Sequence, residues 1–505
     1  MRRHAYITTP IYYVNAEPHI GSTYTTVVAD ALARYYRQRG VPTVFQTGTD
    51  EHGEKIAEAA TAAGVTPREF VDDVATTFQS TWDSCNIAYD HFVRTSDPRH
   101  VEFVQTVLAR LHGQGDIYFD SYEGLYCVGC ERLYTEKELR DGLCPDHLVA
   151  PNRVSEPNYF FRMTRYQDAL REHIESNPGF IHPEGYRNET LGLLREDLGD
   201  LCISRPRERL SWGIELPFDP GYVTYVWFDA LLNYTSGPAM LGRFDEIWPA
   251  THHLIGKDIL KPHAIFWPTM LLAAGFPLYE RLGVGGFWSS GGHKMSKSLG
   301  NVVRPLEMRD RFGMDALRYF LLRDMSFGQD ADFTEEALIV RLNADLANGL
   351  GNLVSRTLAM SKKYFESEVQ PLEPTEEADT LLADAFRTAG RELEEQIENL
   401  AFHRGLEAIW RAIDAANKYV ADQAPFKRIK EDGQRPRVGA ILHNSVEALW
   451  MAAQLVAPFL PESAEKIRMA LALPEESFAR LDLPWGEAFE AGHRLGEPIN
   501  LFPRV

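Results

Sequence analysis

The sequence predicts an α/β protein: a doubly wound parallel sheet that carries a cysteine-rich insertion and is followed by a C-terminal α-helical bundle. Three observations predict it. A strand, a helix and a second strand succeed one another within the first fifty residues, cysteines cluster near residue 130, and from about residue 345 the apolar spacing becomes helical.

The segment "AYITTPIYYVNAE" reads as a strand that runs into a turn at Pro10, Tyr12 and Tyr13. In "TYTTVVADALARYYRQRG", Val27, Val28, Ala31, Leu32 and Tyr35 form one stripe, and Gly40 marks the stop of that helix. "PTVFQTGTD" follows as a second strand, which completes a βαβ unit. "PHIGS" lies at the joint between strand and helix and puts His19 at the helix N-terminus. The first N–H groups of a helix lack partners and its dipole favours an anion, so phosphate fits here. Gly21 lets a base or ribose approach the backbone, and an imidazole donates to a phosphate oxygen. On these five residues alone, the plainer reading that His19 only caps the helix stays open.

A chain of 505 residues is too long for one core and implies several domains. Its 44% hydrophobic and 25% charged composition is that of an ordinary globular protein. "MRRHAYITTP" lacks the apolar stretch of a signal peptide and no apolar run reaches bilayer-spanning length, so a cytoplasmic protein without membrane contact is expected. The net charge of −20 argues against non-specific nucleic-acid binding over the whole surface and confines any polyanion contact to local sites. Five cysteines in so long a chain do not make a disulfide framework.

Cys127, Cys130, Cys144 and His147 stand as C-x2-C and C-x2-H. Two such turns bring three thiolates and an imidazole into a closed tetrahedron, which suits one structural Zn²⁺ per chain and leaves no open position for chemistry. The alternative is a group of reduced thiols beside a chance histidine. Cys85 and Cys202 read as small buried side chains. Beyond this insertion "YVTYVWFDALLNY" and "HHLIGKDILKPHAIFWPTMLLAAG" return to strand and helix patterns, the second half of a Rossmann-type sheet. Trp227, Ala230, Leu231 and Tyr234, at i, i+3, i+4 and i+7, share one helical face of aromatic and aliphatic character. Such a face suits a thioether; an ordinary core face is the other reading.

"GGFWSSGGHKMSKSLGN" places Lys294 and Lys297 on a loop rich in glycine. Two lysines on a movable loop can close over a polyphosphate and neutralise a departing pyrophosphate. The helical stretches "EALIVRLNADLANGLGNLVSRTLAMSKKYF" and "GLEAIWRAIDAANKYVADQAPF" complete the chain's pattern.

With "PHIGS" and "KMSKS" in this order, the chain resembles the class I aminoacyl-tRNA synthetases, and within them the methionyl branch. The resemblance extends over "TTPIYYVNAEPHIGSTYTT", "FQTGTDEHGEKI", "CVGC" to "CPDH", "YVWFDALLNY", "LIGKDILKPHAIFWP", "KMSKSLGN" and "DLANGLGNLVSR". It departs at Ser22, where the general motif has a second histidine, and at His147, where some relatives have a fourth cysteine.

The resemblance implies ATP-dependent ligation of L-methionine to initiator and elongator tRNA(Met) through methionyl-adenylate, with Mg²⁺ accompanying ATP. It implies catalytic roles for His19, Lys294 and Lys297, and an ATP site of His19, Gly21, Ser22, Gly256, Asp258 and both lysines. Ile11, Tyr13, Ile259, His263 and Phe266 would complete the methionine pocket around the Trp227 face, with Asp50 on the substrate ammonium. Asn352, Arg356 and Phe426 would meet the anticodon, Phe426 standing where relatives usually have tryptophan.

The expected domains are a first catalytic half at 1–115, an insertion at 116–215, a second catalytic half at 216–290, a KMSKS loop and linker at 291–345, and an anticodon-binding domain at 346–505. The chain's end at Val505 leaves no room for a dimerising appendage and predicts a monomer. A sibling enzyme for leucine, isoleucine or valine would need an editing insertion that has no room here. A non-catalytic tRNA-binding paralogue would not need His19, Asp50, Lys294 and Lys297 together.

Overall fold

The computed structural model describes residues 4–14, 17–127, 132–134, 139–145, 148–196, 198–295, 300–474, 478 and 484–505. The chain opens with β1 (Ala5–Thr8), β2 (Tyr12–Tyr13), β3 (Thr43–Asp50) and β4 (His91–Arg94). β3 pairs in parallel with β1 and β2 along one edge and with β4 along the other. Three strands follow as an antiparallel excursion, β5 (Ile117–Cys127), β6 (Arg132–Tyr134) and β7 (Asn152–Phe161).

The stretch at 116–215, expected as one insertion, is not a clean excursion. Within it β8 (Ile181–His182) joins the main sheet, then β9 (Leu201–Cys202) pairs back with β7. Phe180 and Ile181 are buried, and the Leu282 N–H donates to the Phe180 carbonyl at 2.7 Å, so the sheet gains a strand there. A small antiparallel sheet of β10 (Ser204–Pro206), β11 (Glu215–Leu216) and β12 (Asp219–Thr224) precedes the return to the main sheet in β13 (His252–Gly256) and β14 (Leu282–Gly285). β13 runs parallel between β1 and β14, and β8 lies beyond β14. A last sheet joins β15 (Trp288–Ser290) to β16 (His293–Lys294) and to β17 (Ala331–Phe333).

Alternation along the central strands feeds two cores. Ala5 and Ile7 of β1, Phe45 of β3 and Leu254 of β13 face one core, while Tyr6, Val44 and Ile255 face the other. On the first side packs α1 (Ile20–Gln38), whose Val27, Val28, Ala31, Leu32 and Tyr35 are all buried as their spacing predicts. After α1 come α2 (Glu54–Ala63), α3 (Pro67–Ser84) and α4 (Pro98–Gly113). α4 contributes Val104, Leu108 and Leu111 to the opposite core, so the sheet is covered on both faces. Gly48 in β3 admits β4 closely, because a Cβ there would meet the Val93 carbonyl oxygen at 2.0 Å.

The first core continues from α1 through the helix Met314–Asp324 into the helices beyond Glu335. Fully buried Arg318 seals this junction: it pairs with Asp30 of α1 at 2.6 Å and donates to the carbonyls of Phe459 and Pro458 at 2.8 and 3.2 Å. The helices Asn352–Phe365, Glu377–Glu398, Phe402–Gln423 and Arg435–Val456 form most of the C-terminal bundle. No described helix is long and apolar enough to cross a membrane.

Candidate active site

A cavity of about 410 Å³ opens where the strand ends of the sheet meet the start of α1. His19 is the N-cap of α1 in extended backbone, and its Nδ1 accepts from the Gly21 N–H at 3.0 Å. With Nδ1 accepting, a neutral ring carries its proton on Nε2, so the same residue that caps the helix also offers a donor. The two readings of His19 are compatible. Ser22 closes the capping box: its Oγ accepts from the His19 N–H at 3.1 Å and donates to the His19 carbonyl at 2.8 Å. His19, Gly21 and Ser22 all line the cavity.

The described residues on either side of 296–299 lie near the same helix start. Met295 lines the cavity, and the Ile20 N–H donates to the Val303 carbonyl at 3.0 Å. Lys294 ends the β15–β16 hairpin, whose turn at Gly291 and Gly292 takes φ of +64° and +74°, a region that favours glycine. Lys297 lies outside the described residues.

The opposite wall comes from α7 (Val226–Leu231) and α8 (Asn233–Met240), which follow two further helices, α5 (Gln167–Ser176) and α6 (Glu184–Leu193). Trp227, Ala230, Leu231 and Tyr234 all line the cavity. The single helix expected across them is broken at Leu232, where Asn233 turns its amide to the Ala230 carbonyl at 2.6 Å. Leu232 keeps φ −68° and ψ −9°, near-helical values, so the shared face survives the break.

Tyr234 and His263 form a fixed pair. The His263 Nδ1 donates to the Ile259 carbonyl at 3.0 Å, so its Nε2 accepts the Tyr234 hydroxyl at 2.8 Å. Burial pushes the His263 pKa down to about 4 and pushes the Tyr234 phenol well up, leaving both neutral near pH 7. Behind them Trp267 donates to His253 Nε2 at 3.2 Å, and His253 Nδ1 in turn donates to Thr8 Oγ1 at 2.7 Å. The His253 ring sits 4.3 Å from that of Tyr234 and supports it.

Asp50, at the end of β3 and buried, completes the cavity with Ile11, Tyr13, Gly256, Asp258 and Ile259. Phe266 is not on its wall; it is buried in the core on the helical segment that carries His263. The periodicity of Pro262–Phe266 is that of a wide π turn, which swings the residue three places after His263 off the cavity face. The sequence reading missed Lys55, Tyr12, Asn233, Phe287 and Trp288, all cavity-lining. All five lie within the sequence blocks quoted above.

Cys127 and Cys144 are buried in one small cluster with Leu125 and Leu139. The Leu148 N–H donates to the Cys144 carbonyl at 2.8 Å. Cys130 and His147 lie outside the described residues, and among the described residues no group of three metal-ligating side chains assembles.

In the helical region Asn352 donates to Asn417 Oδ1 at 2.9 Å, and Asn417 donates to the Gly349 carbonyl at 3.0 Å. Arg356 stands one turn further along and is half-buried, whereas Phe426 is 38% exposed on the short helix Pro425–Arg428.

Two family models match the chain. One, of class I (M) tRNA synthetases, matches residues 5–153 and 147–358; the other, the anticodon binding domain of methionyl tRNA ligase, matches residues 372–505. Asn352 and Arg356 thus fall in the first match and Phe426 in the second. The chain is 43% identical to the methionine–tRNA ligase of Caldanaerobacter subterraneus over 100% of its own length and 79% of the relative's. It is 44% identical to that of Deinococcus radiodurans, over 99% of its length and 74% of the relative's. The fold is similar to Mycobacterium tuberculosis methionyl-tRNA synthetase in complex with methionyl-adenylate, with TM-score 0.95, 39% identity and full coverage of both chains.

Proposed function

The chain belongs to the methionyl family of class I tRNA synthetases, and from that premise we propose how its residues divide the work. The enzyme ligates methionine to tRNA through methionyl-adenylate. In the first step a carboxylate oxygen of methionine attacks the α-phosphorus of ATP in line and pyrophosphate leaves; in the second a hydroxyl of the terminal adenosine attacks the acyl carbon and AMP leaves. Neither step needs a covalent enzyme intermediate, so positioning and charge stabilisation carry the catalysis.

The observation that carries this reading is one cavity lined by a helix start bearing His19, by Asp50, and by the aromatic face of α7 and α8. His19 Nε2, at the positive end of the α1 dipole, binds the phosphate charge that develops in the first step. Lys294 and Lys297 neutralise the leaving pyrophosphate, and Mg²⁺ bound to ATP would add further charge neutralisation. Gly256 and Asp258 hold the ribose, Asp258 as an acceptor of its hydroxyls. Asp50 pairs with the methionine ammonium, while Trp227, Ala230, Leu231 and Tyr234 enclose the thioether with Ile11, Tyr13, Ile259 and His263. Sulfur packs well beside aromatic rings, and a neutral Tyr234–His263 pair offers no charge that would favour a polar side chain. ATP–pyrophosphate exchange tests this: exchange is expected with methionine and not with leucine, and exchange supported by leucine alone overturns the pocket.

Cys127, Cys130, Cys144 and His147 would hold a structural Zn²⁺, which would staple a loop-rich excursion. The buried pair of thiols in one cluster fits that role. Cys127→Ser is expected to lower zinc content and melting temperature together; full zinc occupancy in that variant would show the ligand to be misassigned. Asn352, Arg356 and Phe426 face the anticodons of initiator and elongator tRNA(Met) in a cytoplasmic monomer. Arg356→Ala is expected to weaken aminoacylation and leave methionine-dependent exchange intact, and equal losses in the two assays contradict the assignment.

A further inference from the structure

Behind the α7 wall runs a chain of buried polar groups that the reaction as described does not use. Asp229 lies on α7 between Trp227 and Ala230, yet it does not line the cavity. One carboxylate oxygen is 2.6 Å from His52 Nδ1 and the other is 2.8 Å from His100 Nε2. His100 Nδ1 is in turn 2.7 Å from Ser236 Oγ. His52 is 6% exposed, Asp229 1%, and His100 and Ser236 are fully buried.

A carboxylate only accepts, so both imidazoles donate to it: His52 carries its proton on Nδ1 and His100 on Nε2. Burial opposes the charge of Asp229, but the two imidazoles more than offset it and hold the carboxyl below its usual range. Four elements meet in this chain. His52 comes from the loop after β3, two residues beyond Asp50; His100 comes from α4, Asp229 from α7 and Ser236 from α8.

The loop is also fixed from its other side. The Trp212 indole donates to the Glu51 carbonyl at 2.6 Å, and Arg94 holds the Glu51 carboxylate through two donors at 2.7 and 3.0 Å. Buried donors and acceptors are tolerated only when paired, so this chain is satisfied in one mutual placement of loop and helix and penalises others.

We infer that Asp229, with His52 and His100, is a positioning group that sets the separation between the ammonium anchor Asp50 and the thioether wall of α7. The inference rests on the methionine pocket proposed above. Asp229 acts through Trp227, Ala230 and Asp50 and touches no substrate atom itself. A shift of the wall relative to the anchor misplaces methionine between its two ends, while the ATP subsite, built from α1 and the end of β13, stays in place.

The test is pyrophosphate exchange, with KM for methionine and for ATP measured separately. Asp229→Asn puts an amide N–H against an imidazole N–H, and His52→Ala removes a donor. Each is expected to raise the methionine KM about tenfold or more, with the ATP KM changed less than about twofold. His52→Asn, whose amide nitrogen occupies the place of Nδ1, is expected to recover most of the loss, which a purely structural role would not predict. Unchanged methionine KM in folded variants, a parallel rise in both KM values, or no recovery with His52→Asn each overturns the inference. If Asp229→Asn does not fold, the two His52 variants decide it. Trp227→Ala is the separate control: an unchanged methionine KM there overturns the pocket itself, and the positioning role with it.

Discussion

Around the cavity the protein buries carboxylates, imidazoles and hydroxyls in hydrogen-bonded chains, whereas the helices beyond Glu335 bury broad apolar faces with few such contacts. In the catalytic part, fully buried Glu51 is held by Thr49 at 2.6 Å and by Arg94, and fully buried Asp30 by Arg34 at 2.8 Å and by Arg318. In the helical part, the helix Phe402–Gln423 buries Leu406, Ile409, Ile413, Ala416 and Val420 on one face. Its main buried ionic contact is Asp379, which accepts from Arg437 at 2.6 and 2.8 Å and from the Tyr419 hydroxyl at 2.5 Å. The difference follows from the tasks. Loops around an open cavity need directional contacts to hold their places, and apolar packing has no direction. Helices packed on one another need only matching faces.

Four perturbations break or sharpen that contrast. The largest effect is expected in the helical part, where Asp379→Ala leaves the buried Arg437 guanidinium without its main partner. The loss is about 3–5 kcal/mol of stability, read by urea denaturation, with exchange kcat little changed in the folded enzyme. An equal fall in kcat would mean that the two parts are not separable. In the catalytic part, His19→Ala is expected to lower exchange kcat about 10²- to 10³-fold because it removes a donor to transition-state charge, with a lost cap costing about 1 kcal/mol of stability beside it. A loss confined to stability would return His19 to the role of a cap.

Acid sharpens the contrast, since the neutral buried histidines lie beside the cavity. Burial lowers the His263 pKa to about 4 against an ordinary value of 6.5, and it holds His253 well below that ordinary value too. Between those values the unfolded chain binds protons that the folded one does not, so stability falls as pH drops from about 6.5 towards 4. For His263 alone the full loss is about 3 kcal/mol. Urea midpoints at three pH values in that window, with His263→Gln as control, read the slope; an identical slope in the variant refutes the assignment. The smallest effect is expected at Ser22. Its hydroxyl is committed to the backbone of His19, so Ser22→Ala removes capping bonds and costs less than about tenfold in kcat. Damage equal to that of His19→Ala would make the hydroxyl a catalytic donor.

Much of this was legible in the chain itself. The stripe of α1, its stop before Gly40 and His19 at its start are local facts, set by residues three or four apart, and the structure keeps them. The face of Trp227, Ala230, Leu231 and Tyr234 was legible for the same reason, although the break at Leu232 was not. That break answers to contacts from elsewhere, among them the Gln46 amide that donates to Asn233 Oδ1 at 2.9 Å. Phe266 was expected in the pocket from the resemblance alone; it packs into the core instead, on a wide turn that the sequence does not announce.

By itself the sequence determined the opening βαβ unit, the apolar faces and the order of the phosphate motifs, because periodicity and capping act over a few residues, and the resemblance carried by those motifs pointed to the family. Tertiary structure alone decided which groups face one another across long separations. It brought Ile181 into the main sheet from the expected insertion, and it set Asp229 against His52 and His100, 177 and 129 residues away. A buried hydrogen bond has no signature in either partner's local sequence; it exists only once folding has removed water from both.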